Sequence, residues 1–394
     1  MDTHREGEIS REPYMNEPTG DNEKELQTKE QMTRTMTQYL KTCIHCHSCM
    51  DVCPVTKGAF TIEQLNDATT QGATVPAVIK EFAWNCVQCG KCVPVCPAKI
   101  RRDVMIRFLK YNLRKEKPWS YKRYLLIRGS RLGTFARFIQ RLYASAKRAA
   151  HRDLASYMEV RPTKAAEVLF YPGCYLYSVD TIRQTIQLLD YLGCSYAVLG
   201  GMSTCCGMPH LLQGEFDRAD ECMKQLHRDI TAVHPKTILT SCAECHDAIT
   251  QIKTTYHEDY EVCSVVEYLV RHQGKFPRMK IREDIIVHDS CRFSSETPAG
   301  RAAQQAASNF GTLVGTPSHQ RTPCCSHWNH NQDTANIKRR LAYLKDVNTL
   351  APTLACNCLT CYEEFKKLRT DMNVIDVIQL FVEALTTQTP KEQP

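Results

Sequence analysis

The sequence lacks the features that place a protein across a membrane. No run of about eighteen apolar residues occurs in the chain, although a membrane-spanning helix needs about twenty. The N-terminal residues are polar and charged, with neither the apolar core of a signal peptide nor a twin-arginine pair. Export is therefore not expected. The predicted location is the cytoplasm, and a peripheral position on the inner face of the cell membrane stays open.

The sequence also lacks nucleotide-binding fingerprints. No G-x-G-x-x-G motif follows a predicted strand, so nothing indicates a bound flavin or nicotinamide cofactor. Hydride chemistry, if the protein takes part in any, would belong to a separate subunit. The apolar fraction of 43% is nevertheless large enough to bury real cores, which argues against wholesale disorder.

Cysteine is abundant, with 22 in 394 residues. In a reducing compartment this indicates metal or redox chemistry rather than disulfides. The spacing supports the same interpretation, because most of these cysteines fall into tight groups with repeated gaps.

Two copies of the pattern C-x₂-C-x₂-C-x₃-C-P begin at Cys43 and Cys86. In such pairs the first three cysteines bind one iron–sulfur cluster, and the fourth, before proline, reaches the other. The runs therefore predict two cubane [4Fe-4S] clusters. One would be held by Cys43, Cys46, Cys49 and Cys96, and the other by Cys86, Cys89, Cys92 and Cys53. The long insert between the runs has helical periodicity, which favours a helical ferredoxin.

Two matches to C-x-x-C-H, the pattern of haem attachment, begin at Cys43 and Cys242. Haem attachment generally requires export, for which the sequence shows no signal. Both matches lie inside larger patterns that use the same thiols, so we do not expect haem.

From about residue 166 predicted strands and helices alternate. The predicted strands are 167–173, 195–201 and 236–241, then 284–290, 311–316 and 353–357. Alternation of this kind predicts an α/β fold with mainly parallel sheets. The pattern recurs after about 117 residues, which predicts two similar domains.

Each of these two domains carries five patterned cysteines. The first has Cys174, Cys205, Cys206, Cys242 and Cys245, and the second has Cys291, Cys324, Cys325, Cys358 and Cys361. Ligands gather at the carboxyl ends of parallel strands, so the five thiolates of each domain should converge. Five exceed what one zinc ion uses. Adjacent cysteines can instead bridge an enlarged, irregular iron–sulfur cluster.

These spacings resemble the twin cysteine-rich (CCG) domains of heterodisulfide reductase, in the layout of its fused C and B subunits. They are also similar to the iron–sulfur subunits of anaerobic glycerol-3-phosphate dehydrogenase and glycolate oxidase. The resemblance covers about residues 36–385 and implies noncubane [4Fe-4S] clusters in one or both domains, with zinc an alternative in one. The first CCG motif keeps Gly207, whereas the second has Ser326 in the glycine position.

The predicted fold is an α-helical ferredoxin-like module followed by a duplicated α/β (CCG) domain. We expect a disordered tail, the ferredoxin module, a basic helical linker, two CCG domains and a short tail, with boundaries at 1–35, 36–100, 101–160, 161–275, 276–385 and 386–394. From Arg101 to Arg152 the linker has sixteen Lys or Arg and two acidic residues. Such a segment is either a solvated linker or a docking surface for a partner or membrane. Nothing in the cysteine sets indicates nucleic-acid binding.

The leading functional hypothesis is an iron–sulfur electron-transfer subunit of a multi-subunit, membrane-associated redox complex. Its partner would be a flavoprotein or a membrane subunit that carries haem b or binds quinone. One alternative is a disulfide reductase whose catalytic cluster is held by the five cysteines of the second CCG domain. Another is the iron–sulfur subunit of an anaerobic glycerol-3-phosphate or 2-hydroxy-acid dehydrogenase.

Several residues near these patterns have no assigned ligand role. Cys194, Cys222 and Cys263 are predicted to pack as small buried side chains, and Cys356 is a candidate alternative ligand. Four histidines near the cysteine groups are candidates for proton delivery, with structural roles as the alternative. They are His210, His288, His327 and His330.

Overall fold

The computed structural model describes most of the chain beyond residue 28. The described residues are 29–56, 58–70, 74–114, 142, 145–146, 148–157, 162, 164–173, 178–201, 204–315, 317, 322–325, 334–368 and 370–388.

The N-terminal module is helical. Its helices are Lys29–Thr42, Ser48–Asp51, Ile62–Thr69, Ala77–Asn85 and Arg102–Asn112. The first of them begins inside the segment predicted as a disordered tail, because Met36 on this helix is buried in a core shared with the first sheet. The insert between the cysteine runs forms the third and fourth helices, as its periodicity predicted.

Local signals in the insert explain where its first helix starts. The Thr61 hydroxyl accepts a hydrogen bond from Gln64 N, and the Gln64 side chain accepts one from Thr61 N, which is a capping box. Apolar residues on both insert helices then pack against the helix Arg102–Asn112 through Ile106 and Leu109. This last helix therefore belongs to the core of the module, although the sequence placed it in the linker.

Two parallel sheets follow. The first contains β1 (Val168–Gly173), β2 (Tyr196–Gly200), β3 (Thr237–Thr240) and β4 (Glu261–Ser264) in the order β2-β1-β3-β4. The second contains β5 (Asp284–His288), β6 (Thr312–Gly315), β7 (Thr353–Cys356) and β8 (Asn373–Asp376) in the order β6-β5-β7-β8. Every described strand pair is parallel, so the predicted α/β class is confirmed.

Helices lie between the strands and cover the sheets. Their bounds are Val179–Leu192, Met208–Leu211, Phe216–Thr231, Ala243–Tyr256, Val265–Arg271, Pro298–Phe310, Thr334–Asn348, Leu359–Lys366 and Ile378–Gln388. Short 3₁₀ helices span Arg152–Tyr157 and Gln273–Lys275.

The two α/β units share one hydrophobic core. Phe381, near the end of the chain, packs edge-on against Phe276 and Phe310, with ring centroids 5.0 and 4.9 Å apart. A buried polar contact also joins the units, since the Thr181 hydroxyl donates to Asp376 Oδ2 over 2.9 Å. Burying both faces in this way explains why the strands are so apolar.

Gly300 marks a close backbone approach beside the second cysteine group. A Cβ at this position would lie 1.9 Å from Ser294 O, in the loop that follows Cys291. We expect Gly300→Ala to destabilise the chain by about 3 kcal/mol or more, because the loop or the helix must shift. The measurement is denaturant unfolding under anaerobic conditions.

Gly274→Ala is the matched control, because a Cβ there would meet no atom within 4 Å. Equal unfolding midpoints for the two variants would contradict the predicted clash at Gly300.

Candidate functional site

The two ferredoxin-type runs form loops with the same backbone twist. The residues two and four positions after the first cysteine of each run have positive φ. They are His45 (54°) and His47 (61°) in the first run, and Gln88 (54°) and Gly90 (74°) in the second. Left-handed residues at these two positions curl the chain sharply, so that cysteines at three-residue spacing can face one centre.

The fourth cysteine of each run lies beside the other loop. Burial raises the pKa of the Cys49 thiol, and the nearby Cys96 and Cys43 thiols add to that rise. The structure thus brings Cys96 to the first run. We call Cys43, Cys46, Cys49 and Cys96 the first ferredoxin set.

Cys53 makes the reciprocal exchange. Burial raises the pKa of the Cys92 thiol well above its usual range, and Cys86, Cys89 and Cys53 contribute to the same rise. We call Cys86, Cys89, Cys92 and Cys53 the second ferredoxin set. Both sets match the crossover that the sequence predicted, while their ligand role stays a prediction.

The chemistry of the second ferredoxin set fits an iron–sulfur cluster. Its thiols converge on one place, and burial raises the pKa of Cys86 to about 12 and that of Cys89 to about 11. Thiolates crowded in this way repel one another unless a centre rich in cations binds them. Soft sulfur donors select iron–sulfur clusters, zinc or copper(I). A four-iron cluster gives each of the four thiolates its own iron.

The first ferredoxin set lies nearer the surface. Cys46 is exposed, whereas the other patterned cysteines that the structure describes are buried or half-buried. Its neighbour Ile44 is 65% exposed. On the protein side, Arg102 Nη2 donates to Cys43 Sγ over 3.5 Å, and Ile100 N donates to Cys96 Sγ over 3.4 Å.

The second CCG set comprises Cys291, Cys324, Cys325, Cys358 and Cys361, and all five thiols lie in one hydrogen-bonded series. The series runs from Cys291 to Cys324, then through Cys325 and Cys361 to Cys358. Hydrogen bonds with Cys324 and Cys361 lower the pKa of Cys325 to about 6. The sequence predicted this convergence at the carboxyl ends of the strands.

The first CCG set comprises Cys174, Cys205, Cys206, Cys242 and Cys245. Cys174 lies outside the described residues. The Cys245 and Cys206 sulfurs are 3.7 Å apart, Cys206 is hydrogen-bonded to Cys205, and Cys245 to Cys242. Gly173, at the end of β1, lies against Cys245: a Cβ on this glycine would be 2.9 Å from the sulfur.

The two CCG sets are in direct contact. Hydrogen bonds from Cys242 of the first set and Cys361 of the second lower the pKa of the Cys358 thiol well below its usual range. The backbones meet at the same place, because Leu359 N donates to Ser241 O over 2.9 Å. No local pattern in the chain indicates this contact between the sets.

The second ferredoxin set adjoins the second CCG set. The Cys324 thiol donates to Val87 O over 3.8 Å, and Val87 lies directly after Cys86. Burial and neighbouring charges, Cys291 among them, raise the pKa of Cys89. Arg339 fixes this junction by donating to Pro54 O over 2.9 Å.

A buried charge network lies where the ferredoxin module meets both α/β units. Arg101 and Arg107 both pair with Asp103 Oδ2, over 2.9 and 3.3 Å. Arg292, next to Cys291, donates to Asp247 of the first unit over 2.6 Å. Arg101 and Arg107 hold the pKa of Asp103 well below its usual range although burial opposes its ionisation, while burial lowers the pKa of Arg107 to about 10.

Three cations of the basic segment are interior residues. Arg102, Arg107 and Lys110 are 4%, 7% and 1% exposed, and Lys110 donates to Leu212 O of the first α/β unit over 3.3 Å. The interpretation of the segment as a docking surface is therefore wrong for these three residues. It now concerns the remainder of 101–152, of which 115–141 lie outside the described residues.

Sequence reasoning missed a buried carboxylate between two ligand candidates. Burial raises the pKa of Glu244 to about 7. Its Oε2 is buried and has no hydrogen-bond partner among the described residues. The available signal was its position inside the C-x-x-C motif of Cys242 and Cys245.

The other histidines and cysteines that the sequence singled out lie in different surroundings. His210 is buried with its Nδ1 on Glu215, and His288 contacts the Tyr343 hydroxyl over 3.3 Å. Ser326, His327 and His330 lie outside the described residues. Cys194 contacts the Tyr268 hydroxyl over 3.1 Å, Cys263 and Cys356 are buried, and Cys222 touches Cys205.

Among the residues that the structure describes, no group of three His, Cys, Asp or Glu side chains is arranged to hold one metal ion. A four-iron cluster instead separates its thiolates by the width of the cluster. No described helix is both long and apolar enough to cross a membrane.

The fold and the thiol sets are those expected of an iron–sulfur protein. Residues 35–97 match the 4Fe-4S dicluster domain family, and residues 168–250 match the CCG, or cysteine-rich, domain family. These matches confirm the resemblance to the heterodisulfide reductase-like CCG proteins and support an electron-transfer role. The second α/β unit lies outside the matched residues.

Two other comparisons add little. No curated protein matches the chain. The crystal structure of an aspartate racemase homologue from Pyrococcus horikoshii OT3 matches with 9% identity, over 56% of this chain and 98% of that chain. Its TM-score of 0.28 is too low to support an argument.

Proposed function

We propose that the chain is an electron-transfer subunit of a multi-subunit redox complex and conducts electrons between its surface at Cys46 and the CCG sets. The observation that carries the proposal is the series of contacts between thiol sets. The second ferredoxin set meets the second CCG set at Cys324 and Val87 O, and the two CCG sets meet at Cys242 and Cys358.

Bound iron–sulfur clusters supply one-electron storage at each set. We assign a [4Fe-4S] cubane to each ferredoxin set and a noncubane cluster to each CCG set. The shared strand order of the two sheets supports a duplicated α/β half and hence two CCG sites.

Side chains of the ferredoxin module fix its position against the first α/β unit. Gln88, inside the second ferredoxin loop, donates to Leu212 O of the first α/β unit over 2.7 Å and accepts from Arg107 Nε over 3.0 Å. Tyr111 packs against Phe216 with the two rings tilted and their centroids 5.3 Å apart. The rate of electron transfer falls steeply with the distance between redox centres. Contacts that keep these distances constant therefore keep the rate constant.

The exposed loop around Cys46 is where a redox partner would approach. We propose a flavoprotein or a membrane subunit with haem b or quinone as that partner, and a peripheral position on the inner face of the membrane. The cations of the linker that are not interior support this position, because they would favour an anionic surface.

Metal analysis tests the proposal. Anaerobically purified chain should contain about sixteen irons, at four for each of four clusters. Acid-labile sulfide should be present in a similar amount, and EPR should resolve both cubane and noncubane signals. About eight irons, with cubane signals alone, would contradict clusters in the CCG sets.

A disulfide reductase is the second candidate. It is favoured by the direct contact between Cys242 and Cys358, which places two redox sites side by side. Two adjacent one-electron sites suit a substrate that must accept two electrons. Release of thiols from a panel of heterodisulfides, with reduced viologen as donor, would support this candidate, and no release would exclude it for that panel.

A further inference from the structure

Cys222 is a buried cysteine outside all four thiol sets. It lies on the helix Phe216–Thr231, is 6% exposed, and its thiol is hydrogen-bonded to Cys205 of the first CCG set. Spacing alone predicted an inert packing role. Its contact with a predicted cluster ligand indicates a role beyond packing.

The helix that carries Cys222 is pressed onto the CCG motif. Gly207, the glycine of that motif, has a φ of 83°. A Cβ on Gly207 would lie 2.7 Å from Ala219 O and 3.3 Å from the Cys222 Cβ. The close approach that glycine permits is what brings the Cys222 thiol to Cys205.

Cys205 is a hydrogen-bond acceptor in this geometry. Gly207 N donates to Cys205 Sγ over 3.5 Å, from the peptide that follows the paired cysteines. A cysteine that ligates iron does so as a thiolate and has no proton to donate. In a hydrogen bond between a ligand Cys205 and Cys222, the donor must therefore be the Cys222 S–H group.

We propose that Cys222 is a positioning residue that donates this hydrogen bond to the Cys205 ligand and raises the reduction potential of the first CCG site. The inference rests on the proposed function, because it requires a cluster at that site. Hydrogen bonds to cluster sulfurs are among the factors that set the potential, since they stabilise the added negative charge of the reduced state.

The second CCG set has a different side chain beside it among the described residues, because the Thr360 hydroxyl lies 3.1 Å from Cys358 Sγ. The corresponding helix of that unit, Thr334–Asn348, contains no cysteine. The two sites therefore differ in this donor although each has the same five-cysteine pattern. A change at Cys222 should affect one noncubane signal and leave the other as it was.

The test is a redox titration of full-length Cys222→Ala and Cys222→Ser, followed by EPR. The alanine variant should shift one noncubane signal to lower potential, by about tenfold in its reduction equilibrium, or ~59 mV for one electron. The serine variant keeps a donor and should restore most of the wild-type potential. Iron content should be unchanged in both.

Cys263→Ala is the matched control, because Cys263 is also buried in the first unit, at 1% exposure on β4, and belongs to no thiol set. It should leave both noncubane potentials unchanged. An unshifted potential in Cys222→Ala would overturn the proposal. Loss of about four irons would also overturn it, since Cys222 would then be a ligand. About eight irons in the wild type would instead show that the proposed function itself has failed.

Discussion

Replacing Cys89 and Cys92 together with serine is expected to remove about four irons from each chain and to cut the CCG sets off from the surface. Both cysteines are members of the second ferredoxin set; Cys89 is buried, at 8% exposure, and Cys92 is half-buried. This set is the part of the ferredoxin module that touches the second CCG set, through Val87 O and Cys324. Without it the series of thiol sets is interrupted between the ferredoxin module and the CCG sets.

The measurement combines iron analysis with the rate at which CCG signals form. Reduced ferredoxin serves as a bulky electron donor that can reach only the protein surface. In the double variant the CCG signals should form at least tenfold more slowly, while the first ferredoxin set is still reduced. A double variant with serine at Cys194 and Cys263 is the control, because neither cysteine belongs to a set. Wild-type rates in Cys89→Ser/Cys92→Ser would refute the proposed path.

Asp103→Asn is expected to cost about 3–5 kcal/mol of stability, the usual result of leaving a buried charge unpaired. Asp103 is 4% exposed and accepts hydrogen bonds from Arg101 Nε and Nη2 over 3.0 and 2.9 Å. The same carboxylate neutralises Arg107, which is 7% exposed. With asparagine in place, Arg107 would stay buried at the junction of the three folded units without the carboxylate that it pairs with.

The sign of the pH dependence follows from the same contacts. Burial opposes ionisation, but Arg101 and Arg107 outweigh it and hold the pKa of Asp103 well below its usual range. A carboxyl with a lowered folded-state pKa stabilises the fold at any pH above its ordinary pKa, here 3.8, and loses that contribution as the pH falls below it. Denaturant unfolding at neutral pH therefore measures the whole effect.

Asp153→Asn is the control for Asp103→Asn. Asp153 also pairs with an arginine, Arg183, over 2.6 Å, but both side chains are about half exposed. Surface pairs of this kind contribute little, so the unfolding midpoint should not change. Equal effects of the two substitutions would show that burial does not determine the importance of the Asp103 pair.

Prediction from the sequence is most accurate where the number of residues between cysteines determines where their side chains lie. Positions such as Cys53 and Cys96 were placed with the opposite loop from the C-P dipeptide alone, and the structure puts them there. The predicted central strands also coincide with β1, β3, β5 and β7, because short continuous apolar runs between turn signals indicate buried parallel strands. The edge strands β4 and β8 were missed, since Glu261–Ser264 and Asn373–Asp376 are short and partly polar.

Long-range relations were not predictable from one sequence. The run of cations after residue 100 predicts a surface segment, yet Arg107 and Lys110 are interior because Asp103, Gln88 and Leu212 O accept their hydrogen bonds. The contact between Cys242 and Cys358 depends on how two sheets pack, which no local pattern encodes. Cys222 had the spacing of an ordinary core residue on an amphipathic helix.

The exposed loop at Cys46 also determines which part of the protein would be oxidised first in air. Dioxygen and peroxide approach from solvent, and among the patterned thiols that the structure describes Cys46 is the exposed one. A cluster held by the first ferredoxin set would therefore be oxidised before clusters at the other three sets. On the proposed electron path, loss of a cluster there would interrupt exchange with a partner while the other sets kept theirs, so that rebuilding one cluster would restore the path.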